Sequence, residues 1–165
     1  ISILMKKIIK SIGIAALVFG TFCFSTACSE EEDCSLNARA MMECNLFQID
    51  EETNEKSSIA LTTLTVTAFG TDSVIINQAS NVSKLSLPLR FSADSTVLVF
   101  HYQLEPSDTI VVRHNNTPYF LSMDCGYQMK QSIKSVSYTK HQLDSIYVAN
   151  KEANIYGTEN LKLFY

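Results

Sequence analysis

Between residues 40 and 165 the apolar positions come in short runs, most of them alternating with polar ones. Leu64, Val66 and Ala68 alternate with Thr63, Thr65 and Thr67, and Leu85, Leu87 and Leu89 alternate with Ser86 and Pro88. A period of two places the two sets on opposite faces of an extended strand, so each run predicts a strand that buries one face. The β-branched and aromatic content of residues 40–49, 73–77, 96–102, 108–114, 119–123, 131–139, 145–150 and 161–165 predicts further strands, about ten in all.

Gly70-Thr71-Asp72 and Asn115-Asn116-Thr117-Pro118 each separate two such runs and read as hairpin connections, which makes their neighbours antiparallel. Pro88 cannot donate to a ladder, so residues 84–89 read as an edge strand, and the flanking Lys84 and Arg90 oppose edge-to-edge pairing. Only residues 141–145 read as a helical turn. The pattern predicts an all-β domain, an immunoglobulin-like Greek-key β-sandwich of roughly 8–10 antiparallel strands. A partly open barrel is the second reading.

The N-terminal segment follows a different rule. Lys6, Lys7 and Lys10 precede an almost unbroken apolar run from Ile12 to Phe24, which ends in small residues. At about 1.5 Å per residue this run is too short for a helix that must cross roughly 30 Å of hydrocarbon, so it reads as the helix of a cleaved signal peptide. Met5, directly before the lysines, is the expected true start. Ser25-Thr26-Ala27-Cys28 resembles a lipobox, which implies cleavage before Cys28 and lipidation of that cysteine; an ordinary signal ending near a cysteine is the alternative. The expected organisation is residues 1–27 as signal peptide, 28–38 as a lipidated acidic tether and 39–165 as the β domain. Ser29, Glu30, Glu31, Glu32 and Asp33 form a self-repelling, solvated linker. The same run resembles the surface-export signal of Bacteroidota lipoproteins, which implies a domain facing the outside of the cell. The run lacks the spacing of a calcium loop, and no metal site is assigned to it.

Charge and cysteine count narrow the partners. The chain carries 13 basic and 17 acidic residues, and removing residues 1–27 takes away three lysines and no acid, leaving a net of −7. Such a surface argues against nucleic acid as a partner. Of five cysteines, Cys23 leaves with the signal and Cys28 is alkylated, so Cys34, Cys44 and Cys125 remain in an oxidising compartment with at most one intramolecular bridge among them. The alternation Met42, Cys44, Leu46 turns Cys44 inward, which favours Cys34 with Cys125 and leaves Cys44 with Cys125 as the alternative.

The enzymatic readings are two. Cys125-Gly126 could present a thiol on a turn, activated by His114 or His141. Asp72, Asp94, Asp108, Asp124 and Asp144 could converge as hydrolytic carboxylates, although their places at strand ends suit turns. His101 reads as an ordinary strand residue. Nucleophile-elbow, zincin, phosphate-loop and dinucleotide motifs are absent among only five glycines, and no catalytic residue, metal or cofactor is assigned. Tyr119, Tyr127, Tyr138 and Tyr147 could serve as a stacking surface where exposed.

Cys34 with Arg39, Leu85-Ser86-Leu87-Pro88-Leu89, Ala93-Asp94-Ser95-Thr96, Asp124-Cys125-Gly126-Tyr127 and Leu161-Lys162-Leu163-Phe164-Tyr165 together resemble an uncharacterised Bacteroidota lipoprotein family, a domain of unknown function. The resemblance implies lipoprotein status, a β-rich domain and the importance of Cys34 and Cys125, and carries no activity with it. The expectation is a lipoprotein of the outer membrane, on its periplasmic or cell-surface face. Its domain would be a non-enzymatic binding or accessory module that engages the membrane through its lipid and an envelope protein or glycan through its surface. The alternative is a small envelope hydrolase or thiol enzyme using Cys125 or the aspartates.

Overall fold

The alternation of Met42, Cys44 and Leu46 with Glu43, Asn45 and Phe47 becomes β1 (Met41–Ile49), the first of eleven strands among the described residues. The computed structural model describes residues 40–165 apart from Asp72, Asp124, Asn154 and Tyr156; the expected signal helix, Cys28, the acidic run 29–33 and Cys34 lie outside the described residues. The other strands are β2 (Lys56–Ser58), β3 (Leu61–Ala68), β4 (Ser73–Val82), β5 (Lys84–Pro88), β6 (Ser95–Tyr102), β7 (Asp108–Ser122), β8 (Gly126–Tyr138), β9 (Ser145–Val148), β10 (Glu152–Ala153) and β11 (Glu159–Phe164).

They form two sheets, as a sandwich requires. The first has the order β2-β1-β11-β9, with β5 pairing β1 over Met41–Asn45 ahead of β2. The second has the order β10-β8-β7-β6-β3-β4, antiparallel at every pair. Leu46, Leu87, Leu161 and Leu163 of the first sheet and Leu64, Val66, Leu98, Phe100 and Val112 of the second are fully buried in one core. Each such side chain stabilises the fold by about 1.5–3 kcal/mol relative to exposure.

Four local expectations give way. Not every pair is antiparallel: β1 and β11 run parallel in the middle of the first sheet. The register slips between Glu43 and Cys44, and Asn160 occupies the resulting bulge with its side chain turned inward; its Oδ1 accepts the Glu43 N–H at 2.9 Å, replacing a ladder bond. Asn115-Asn116-Thr117-Pro118 is no hairpin connection but the middle of β7, paired with Gln131, Lys130 and Met129 and their neighbours on β8. The true turn lies beyond Ser122, closed by Gly126 at φ +65°, a left-handed backbone that glycine adopts freely. Residues 141–145 are bends entering β9, not a helical turn. Residues 149–150, read as strand, lie beyond the end of β9. The edge-strand reading of Pro88 holds, since β5 pairs β1 alone.

Candidate functional site

Asp108 and His114, both buried, each anchor a polar cluster. Asp108 opens β7 with its carboxylate fully buried. Its Oδ1 accepts the Thr139 hydroxyl at 2.8 Å and the His141 N–H at 2.9 Å, while Oδ2 accepts the N–H groups of Gln142 and Leu143, each at 2.9 Å. Burial raises the pKa, and the donors more than offset it, holding the carboxyl below its ordinary value. The His141 ring donates from Nδ1 to the Ser107 carbonyl. The cluster therefore pins the segment between β8 and β9.

His114 anchors the second cluster and is also fully buried. Its Nδ1 meets Asn116 Oδ1 at 3.1 Å, and its Nε2 meets Thr96 Oγ1 at 2.9 Å. Because Asn116 Nδ2 donates to the carbonyls of Arg90, Phe91 and Ala93, its Oδ1 is the acceptor; Nδ1 carries the proton and Nε2 accepts from Thr96. Desolvation lowers the imidazole pKa, so the ring is neutral. Gln131 Nε2 adds bonds to Asn116 Oδ1 and the Arg90 carbonyl. This network holds the connection between β5 and β6, and its polar atoms are turned into the protein.

That connection borders an apolar surface. A cleft of about 230 Å³ lies between the β3–β4 turn and the β5–β6 connection, lined by Phe69, Ile75, Pro88, Leu89, Phe91 and Val97 among others. Phe69 is 66% exposed and Phe91 is exposed with it, while Val74 on β4, between the lining Ser73 and Ile75, is exposed outside the cleft. Beyond Arg113, the last β7 residue paired to β6, strands β7 and β8 continue as an arm whose far part, from Pro118 to Ser122 and Gly126 to Met129, pairs only with itself among the described residues. On the arm Phe120 (52% exposed) and Tyr127 (75%) pack edge to face at 5.5 Å, and Met123 is 89% exposed. At its base a second cleft of about 210 Å³ is lined by Ala40, Tyr119, Met129, Lys130, Glu152, Ala153 and Ile155.

Register places all of this at one end of the sandwich. Ala68 pairs Leu98 near the start of β6, Ser95 pairs Arg113 at the base of the arm, and Pro88 pairs Met41 where the chain enters β1. Phe69, Val74, Phe91, Tyr119, Phe120, Met123, Tyr127 and Ile155 thus share the end at which Ala40 begins the described chain, whereas Ile49, Leu104 and Tyr147 are exposed elsewhere.

The residues singled out in the sequence are not brought together. His114 lies eight β7 positions from Ser122 and the turn, roughly 25 Å along a strand, and His141 is at the opposite end of the domain from Cys125. Cys125 is not a free thiol, whereas Cys44 is free and fully buried, so a Cys44–Cys125 bridge is not formed. Burial, with Glu43 and Glu159 nearby, pushes the Cys44 thiol far above its ordinary pKa. Asp94 precedes β6 and Asp108 pairs with Phe100, six residues and roughly 20 Å further along it, Asp144 lies beside Phe164, and Asp72 and Asp124 lie outside the described residues. His101 is an exposed strand residue bonded to Thr67 and Ser107. Among the described residues no three His, Cys, Asp or Glu side chains group as a metal ion would need. Tyr119 and Tyr127 sit on the arm, Tyr147 on the first sheet, and Tyr138 is half-buried. Phe69, Phe91, Phe120 and Met123 were not legible as surface residues, because apolar residues at strand ends read as core. The signal that marks the arm is the lack of any charged side chain in residues 118–123 and 126–129.

No curated protein and no solved structure matches the chain. One family model does, over residues 63–165, from mid-β3 through the arm to β11. It covers more than half of the sequence, and the chain belongs to that family, a family of unknown function (DUF6452).

Proposed function

We propose that the chain is an exported lipoprotein, held to the outer membrane through Cys28, whose β domain is a non-enzymatic binding or accessory module with the apolar end as its working surface. The observation that carries this reading is the concentration of exposed apolar side chains at the one end where the chain enters the domain. Monomeric surfaces seldom expose contiguous apolar area without a partner for it. The acidic run 29–33 serves as the spacer and, by its likeness to a surface-export signal, directs the domain to the outer face of the membrane. Cys34 pairs with Cys125, a reading supported by Cys125 not being free and by Cys44 being buried and unbridged. The envelope hydrolase or thiol enzyme has less support, since its base and nucleophile stand far apart.

An alkynyl fatty acid fed to the producing cell is expected to label the full chain and not Cys28→Ala, with the label and the protein both in the membrane fraction. Unlabelled, soluble wild type defeats the anchoring. A photo-crosslinker at position 91 is expected to capture an envelope component that one at position 147 does not, and equal capture defeats the choice of surface.

A further inference from the structure

We infer that the apolar end faces the lipid surface, with the β7–β8 arm seated in the interface between headgroups and acyl chains. The inference rests on the anchored reading above and names the partner of that same surface.

Chain length supplies the first reason. Ala40 lines the cleft at the base of the arm, and only eleven residues, 29–39, separate it from Cys28. A fully extended chain spans at most about 3.6 Å per residue, which keeps this end of the domain within roughly 40 Å of the lipid. The proposed bridge shortens the leash, because five residues, 29–33, separate Cys28 from Cys34 and Cys125 lies in the arm's own turn, giving a reach of about 20 Å. The arm is therefore the part of the domain held nearest the bilayer.

Chemistry supplies the second. Between Pro118 and Met129 a single residue, Asp124, is charged, so one carboxylate is all that opposes contact of the apolar side chains around it with the headgroups. The arm exposes Tyr119, Phe120, Met123 and Tyr127, and Ile155 stands at its base. Tyrosine rings with an apolar body and a polar tip favour the membrane–water boundary, and Phe and Met extend the apolar contact below it. The paired backbone of the far arm satisfies its own inner hydrogen bonds across β7 and β8. Leu104, 91% exposed between β6 and β7, lies at the opposite end and would stay in water.

The chain contains no tryptophan, so a single introduced one is a unique reporter. Full-length, lipidated Phe120→Trp and Tyr127→Trp chains are reconstituted in phosphatidylethanolamine and phosphatidylglycerol vesicles, with Leu104→Trp as the control, and each preparation is floated and titrated with brominated lipid. The expected result is co-flotation of all three, with blue-shifted, bromolipid-quenched emission from positions 120 and 127 and neither effect at 104. Co-flotation with unquenched arm positions overturns the inference and leaves the anchor standing. A blue shift without bromolipid quenching also overturns it, assigning the end to protein contact. Equal quenching at all three positions overturns the orientation. Failure to float overturns the anchor and the inference with it.

Discussion

Asp108 is a carboxylate without water around it, and its oxygens take up one hydroxyl and three N–H groups from residues 139–143. Asp108→Asn turns one acceptor into a donor that faces other donors. The expected cost is about 3 kcal/mol, the range for losing buried bonds to a charged acceptor, read as a lower urea midpoint at unchanged slope. Since the folded pKa is lowered, this stabilisation is complete above the ordinary carboxylate pKa of about 3.9 and is lost as the pH falls through the folded value. His114 gives a second pH dependence with a different window. The unfolded chain takes up a proton near the ordinary imidazole value of about 6.5, while the buried ring resists until lower pH, so stability declines as the pH drops below that value. Urea midpoints across this interval are expected to fall in wild type and stay flatter in His114→Gln. The sequence placed both residues at strand ends, but their partners lie up to 35 residues away, a distance local pattern does not register.

At the scale of the element, β7 shows how turn chemistry is overruled. Asn-Asn-Thr-Pro is turn-forming in isolation, and the sequence has no local feature against it. In the fold, Asn116 spends its amide on three carbonyls of the β5–β6 connection, which no turn would supply. Pro118 lies beyond the last β6 pairing, where among the described residues β7 pairs with β8 alone, so an N–H missing on its other side costs no ladder bond there. Asn116→Ala is therefore expected to destabilise the domain by about 1–2 kcal/mol, because the buried His114 loses its Nδ1 partner and three carbonyls of the β5–β6 connection lose their donor, whereas Thr117→Ala on the same strand stays within about 0.5 kcal/mol. Paired denaturation curves decide between the strand and a turn at this place. Gly126 marks the real turn, and Gly126→Ala is expected to cost about 1 kcal/mol for a side chain at positive φ. The alternating strands were legible because their period is local; the arm was not, because its extent depends on where β6 stops.

The whole molecule is closed by its last strand. β11 lies between β1 and β9 in the first sheet, parallel to β1, and contributes the fully buried Leu161 and Leu163. A parallel neighbour cannot be supplied by a hairpin, so it comes from the far end of the domain, and no periodicity in residues 40–49 or 159–164 announces the pairing. Asn160 adds to the closure by bonding Glu43 N–H on β1 and the carbonyls of Asn150 and Glu152. Deleting residues 158–165 removes these bonds, strips β1 of one ladder and opens the core around Met42, Cys44 and Leu46. Two buried leucines lost with their surroundings cost about 4–10 kcal/mol, comparable to the 5–15 kcal/mol that holds a typical domain together. A chain stopped at Gly157 is therefore expected to lack a cooperative thermal transition and to expose Cys44 to alkylation under native conditions. In the intact chain that buried thiol stays unlabelled until denaturant is added. If the shortened chain still melted cooperatively with Cys44 protected, the second sheet would be self-sufficient and β11 an ornament to it. The placement of its leucines at zero exposure argues for the first outcome.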